Sequence, residues 1–130
     1  MTPEEIRSDV MTHISASWTD TAIVFPNYEY VPTGVSWIRP VVIMGETAED
    51  EKGSDGVGLR SGVLMNSIFT LANSGERTGL LYATTFEALF RRRDIGEVMF
   101  GEPYTREIGI DPNGYYHIMV TVPFYAWVGE

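Results

Sequence analysis

Three runs rich in β-branched and aromatic residues constrain this chain most: VSWIRPVVIM (35–44), LRSGVLMNSIFTL (59–71) and YYHIMVTVPFYAWV (115–128). Each has the length and composition of a strand. In the second, Val63, Met65, Ser67, Phe69 and Leu71 share one face and Leu64, Asn66, Ile68 and Thr70 the other, one face being more apolar. Pro40 inside the first run demands an edge position or a bulge, because proline has no N–H to give a ladder. TAIVFPN and YEYVP add short extended pieces, with Pro26 and Pro32 as breaks. EVMFGEPYTREIGI and the third run form a closing hairpin through DPNG, where Pro112 and Gly114 supply the turn.

Two segments carry helical period instead. TPEEIRSDVMTHISASW opens with Thr2 as a cap, Pro3 at the first helical position and Glu5 where a capping box places its acid. Ile6, Val10, Ile14 and Trp18 follow at spacing four, beside Met11. ANSGERTGLLYATTFEALFRRRDIG is a second helix, capped at Ser74 and stopped at Gly96, with Leu81, Phe86, Leu89 and Phe90 on one side. Its last turn sets Arg91, Arg92 and Arg93 against the negative end of the helix dipole.

The order predicts an α+β fold in two layers: a mostly antiparallel or mixed sheet of four to five main strands, with two α-helices packed on one face. At 130 residues the chain is one domain, 1–130, with one core. Between the first two long runs lies an acidic, glycine-rich loop at 45–59. It carries Glu46, Glu49, Asp50, Glu51 and Asp55 against Lys52 alone, holds Val57 and Leu59 at its end, and is followed by Arg60. In the free protein it reads as solvated and flexible.

Composition removes several functions. No cysteine occurs, which excludes disulfide scaffolds, thiol nucleophiles and cysteine-ligated metals. A net charge of −9 argues against sequence-independent binding to phosphate backbones. The apolar runs are too short to span a bilayer, and the acidic start lacks a secretory signal's pattern. His13 and His117 lack metal-site spacing and read as structural or surface residues. No G-x-S-x-G elbow occurs, GSDGVG lacks the lysine of a phosphate cradle, and the twelve-residue calcium pattern is missing. No cofactor and no metal is expected.

Opposite charge on one small chain, acids at 46–55 and arginines at 91–93, suits head-to-tail contacts between copies, and such contacts make rings when they close. In FYAWV, alternation leaves either Tyr125 and Trp127 or Phe124 and Ala126 pointing away from the core, as interface aromatics do. The candidate subunit or tube interface is therefore Glu46, Glu49, Asp50, Glu51, Asp55, Val57, Leu59, Arg60, Arg91, Arg92, Arg93, Tyr125 and Trp127.

The succession of an N-terminal helix, FPNYEYVP, WIRPVV, a polar glycine-rich loop, LRSGVLMNSIFTL, a helix ending EALFRRR, VMFGEP and YYHIMVTVPF resembles the tail terminator proteins of long-tailed bacteriophages, the lambda tail terminator and tail-completion family. The match runs over most of the chain and rests on element order. It implies a structural virion protein rather than an enzyme, assembled in the host cytoplasm and resident in the tail or neck. Such a protein caps the tail tube as a homo-hexameric ring, stops tube polymerisation and meets the head-completion or connector protein. The tail tube protein is then a second partner, DNA passes through the lumen without specific binding, and no membrane is involved. The acidic loop becomes ordered in the ring, at the lumen or a subunit boundary. The competing readings are another neck or tail protein, such as a head-completion or tube protein, and a small ligand-binding domain or hydrolase using Asp55, Glu51 or His117.

Overall fold

Thr2 closes the capping box expected of it: its hydroxyl accepts from the Glu5 N–H at 3.1 Å, and the Glu5 carboxylate accepts from the Thr2 N–H at 2.8 Å. These bonds, the Thr2 backbone N–H first among them, hold the Glu5 carboxyl below its ordinary range. Helix α1 (Pro3–Ser17) follows and buries Ile6, Val10 and Ile14 completely, with Trp18 just beyond its end. A computed structural model describes residues 2–26, 35–49, 58–71, 75–112 and 114–128, with backbone alone at 46–49, 58, 75–76 and 127–128.

The sheet is built on two long strands, β2 (Trp37–Glu49) and β3 (Gly58–Leu71), preceded by the short β1 (Ala22–Ile23). After helix α2 (Gly75–Phe90) come β4 (Asp94–Ile95), β5 (Val98–Phe100), β6 (Tyr104–Ile110) and β7 (Tyr115–Val128). The spatial order is β1-β2-β3-β7-β5-β4, with β6 also pairing β7, alongside the part that β5 leaves free. Only β1 and β2 run parallel; every other described pair is antiparallel. The α+β expectation holds in this form, as a mixed, curled sheet of seven strands rather than four to five. β1 lies within TAIVFPN, read as a short extended piece, while YEYVP falls outside the described residues. The expected hairpin arm EVMFGEPYTREIGI divides into β5 and β6, both paired with β7, and β4, two residues long, is too short for periodicity to reveal.

Both helices cover one face. Ile38, Leu64 and Ile68, joined by Ile118, Val120, Val122, Phe124 and Ala126 of β7, form the core with α1 and α2. In β7 the alternation is resolved: Phe124 and Ala126 are buried and Tyr125 points away. The helix-covered face of β3 is the one bearing Asn66 and Thr70, both fully buried. Its more apolar set, Val63, Met65, Phe69 and Leu71, lies on the helix-free face, because β7 decides which side the helices take. On α2 the buried stripe is Gly79, Ala83, Phe86 and Phe90, whereas Leu81 is 54% exposed, contrary to its expected place on the buried side.

Three further expectations need correction. The segment at 45–59 is not all loop: β2 and β3 continue as a hairpin past a bulge, with Thr47, Ala48 and Glu49 opposite Arg60, Leu59 and Gly58. Helix α2 ends at Phe90, so Arg91, Arg92 and Arg93 follow its last turn instead of occupying it. Arg92 takes a left-handed conformation (φ 48°) there, and Gly96 (φ 61°) sits in the β4–β5 turn. The Ser74 cap falls outside the described residues.

Gly62 lies between the helix-facing ring of Phe124 and the backbone of β2. A Cβ there would stand 2.6 Å from both the Phe124 Cζ and the Ile43 carbonyl oxygen. Gly62→Ala is therefore expected to destabilise the protein by about 1–3 kcal/mol, read as a lower urea midpoint at unchanged slope.

Candidate functional site

The two histidines sit in packing roles. His13 Nε2 lies 3.1 Å from the Leu89 carbonyl, its ring edge-on to Phe90 at 5.1 Å, where it ties α1 to α2. His117 stacks on Phe69 at 4.5 Å, and Trp37 stacks on the other side of Phe69 at 4.2 Å. Among the described residues no group of three or more His, Asp or Glu is placed to hold a metal ion. No helix among them is long and apolar enough to cross a membrane.

The expected interface residues divide into three groups. Asp50, Glu51, Asp55 and Val57 lie outside the described residues, and of Glu46, Glu49 and Trp127 the backbone alone is described. Leu59, half-buried, stands between Ala48 and Trp127, and Arg60 reaches the Gly45 carbonyl at 3.4 Å. Tyr125 is 50% exposed on the helix-free face. The arginines are separate from these, beside the turn where the Gly101 N–H bonds to the Pro123 carbonyl.

That arginine cluster is largely neutralised within the protomer. Arg91 pairs with Glu87 at 2.7 Å and with Glu102 at 3.4 Å, and Arg92 pairs with Glu102 at 3.0 Å. Glu87 also accepts from the Thr105 hydroxyl, which links α2 to β6. The two pairs to Glu102 are solvent-exposed and contribute little stability, about 0–1 kcal/mol each, whereas Glu87 is largely covered. Arg93 is exposed and, among the described residues, forms no ion pair. Of the three arginines expected to meet a neighbouring copy, two are engaged by acids of their own copy, because spacing in sequence cannot show which acids the tertiary fold brings alongside.

Two features not singled out in the sequence are more distinctive. The first is the helix-free face, where Arg39, Ser67, Met119 and Arg106 form one row across β2, β3, β7 and β6. The adjoining row is the Trp37–Phe69–His117 stack, with the Arg39 guanidinium 5.2 Å from the Trp37 ring centre. Among the described side chains, arginine is thus the charged residue type in this row across β2, β3, β7 and β6, in a chain of net charge −9.

The second is a pair of open strand edges. Among the described residues nothing pairs with the outer side of β6, and β1 pairs with β2 only at Trp37 and Ile38. On or beside β6, Tyr104, Ile108 and Ile110 are 56%, 46% and 71% exposed. A seven-residue edge that exposes three large apolar side chains beside Arg106 and Glu107 is a ready template for another strand. The alternation in YTREIGI carried a strand signal; that its outer side stays unpaired did not follow from it.

No protein-family model matches this sequence, and no curated protein does. A solved structure superposes with a TM-score of 0.70 at 15% sequence identity, over 97% of this chain and 96% of its own. At that identity the likeness establishes the fold alone, and it does so across essentially the whole length.

Burial disfavours the imidazolium of His117 and holds its pKa below the usual histidine value, with the Asp111 carboxylate opposing. The unfolded chain, with an ordinary value near pH ~6.5, then takes up the proton before the folded one does. Stability is full above that pH and falls as the pH drops below it. His117→Phe keeps a ring on Phe69 and is expected to shrink the loss in urea midpoint between about pH 7.5 and about pH 5.5; an unchanged loss would place its source in other groups.

Proposed function

We propose that this chain is a ring-forming structural protein of the tail terminator kind. It caps the tail tube as a homo-hexamer, stops tube polymerisation and presents a surface to the head-to-tail connector. The observation that carries this reading is the unfinished sheet. Among the described residues, a small domain with a helix-covered core keeps two strand edges open at opposite ends of the sheet, a device suited to completion by identical neighbours. The distinctive surfaces are the strand edges and the broad helix-free face; an open acidic hollow beside α1, lined by Glu4, Glu5, Ser8, Asp9 and Glu97, is separate from both. The match in element order to the tail terminator family supports the particular role.

The test is to measure mass by light scattering on a size-exclusion column across protein concentration, then to add the protein to growing tail tubes. Assemblies near six times the 14.6 kDa chain mass, and tubes that stop elongating once it is added, are expected. Open-ended stacks formed by the protein alone would instead identify a tube subunit, and a monomer that never alters tube growth would count against the reading.

A further inference from the structure

Strand direction and hydrogen-bond phase define what the two open edges fit. Along β2, β3, β7 and β6 each strand is antiparallel to the next, so the two edge strands run in opposite directions. A second copy placed with its β2 beside the first copy's β6 therefore pairs antiparallel without being turned over. Repeating that step keeps every copy in one orientation, which is the geometry of a head-to-tail ring.

The phase of each edge follows from the ladders. The Asp111 N–H donates to the Tyr115 carbonyl at 2.7 Å. Alternation along an antiparallel pair then turns the backbone groups of Ile110 outward, and past the bulge at Glu107/Gly109 those of Glu107 and Thr105. On β2 the Ile38 carbonyl accepts from the Val24 N–H at 2.8 Å, so Ile38 faces outward. Pro40, Val42 and Met44 share that phase, and past the bulge at Met44/Thr47 so do Thr47 and Glu49. Pro40 is thereby placed where its missing N–H costs no ladder bond.

Outward positions on β6 thus step 110, 107, 105, and on β2 they step 44, 47, 49. A three-residue step is followed by a two-residue step on both, and in opposite chain directions. We propose that β6 of one copy pairs with β2 of the next in this register, with Ile110 opposite Met44, Glu107 opposite Thr47 and Thr105 opposite Glu49. The two bulges then face each other, and both edges keep their helix-side residues on one side. The pairing covers Ile110, which stands 71% exposed in the isolated chain. Thr105 and Glu107 already hold Glu87 and Tyr116 through their side chains, which leaves their outward backbone groups for the neighbour. This interface rests on the ring reading and specifies how the ring is joined.

The chain has no cysteine, so a cross-link reports only introduced pairs. Met44→Cys combined with Ile110→Cys, oxidised or treated with a short bismaleimide, is expected to give a ladder of covalent oligomers on a denaturing gel. Neither single variant is expected to link. Ile110→Pro, whose lost N–H faces outward, is expected to prevent assembly while leaving the circular dichroism spectrum and melting temperature of the protomer unchanged. Cross-linking by Ile110→Cys alone would show β6 paired with another β6 and overturn the proposal. A wild-type protein that assembles, with a double variant that assembles but does not link, would overturn this interface and leave the ring reading standing. A wild-type monomer at every concentration and on tube ends would overturn both.

Discussion

The structure depends on the pairing of β3 with β7, fourteen residues held in register from Gly58–Val128 to Leu71–Tyr115. This ladder fixes which side chains of both strands share a face, since a slip of one residue would turn every side chain over. On β7 the helix-facing positions Ile118, Val120, Val122, Phe124 and Ala126 are apolar without exception, and the helices settle over them. β3 follows, although that choice buries Asn66 and Thr70, whose polar side-chain atoms find no hydrogen-bond partner among the described residues. The apolar gain along β7 and the helices outweighs a desolvation cost of about 1–3 kcal/mol for an unsatisfied polar group.

The same ladder explains why so much strand edge stays open. β3 and β7 are paired on both sides, which moves the unpaired backbone outward to β2 and β6. β1, β4 and β5 close their own parts of the sheet with strands of two or three residues. The rest of β2 and the whole of β6 lack that cover among the described residues. Pro40 and the two bulges limit promiscuous pairing at these edges and at the same time give them a specific shape.

Much of this was legible in the residues. The capping box at Thr2 and Glu5, the spacing of Ile6, Val10, Ile14 and Trp18, the DPNG turn and the edge position of Pro40 all follow from local rules, and all are found. Local rules failed where the answer lay across the sheet. Leu81 fits a helical stripe as well as Ala83 does, but the position of β7 beneath α2 selects Gly79 and Ala83. The arginines after α2 look suited to a neighbouring copy until Glu102 arrives from the following turn to join Glu87. The acidic segment looks like a single loop because glycine and acid are poor strand formers, yet pairing with β3 carries β2 to Glu49.

By itself the sequence determined the elements and their class: two helices and a set of strands in an α+β order, with no cysteine chemistry. Those properties come from periodicity, capping and composition, which act over a few residues. Only the tertiary structure decided which face of β3 is covered, which of the arginines after α2 are paired, and that β2 and β6 run in opposite directions with edges open among the described residues. Those outcomes depend on which strands become neighbours, and that is set by burial summed over the whole sheet rather than by any local stretch.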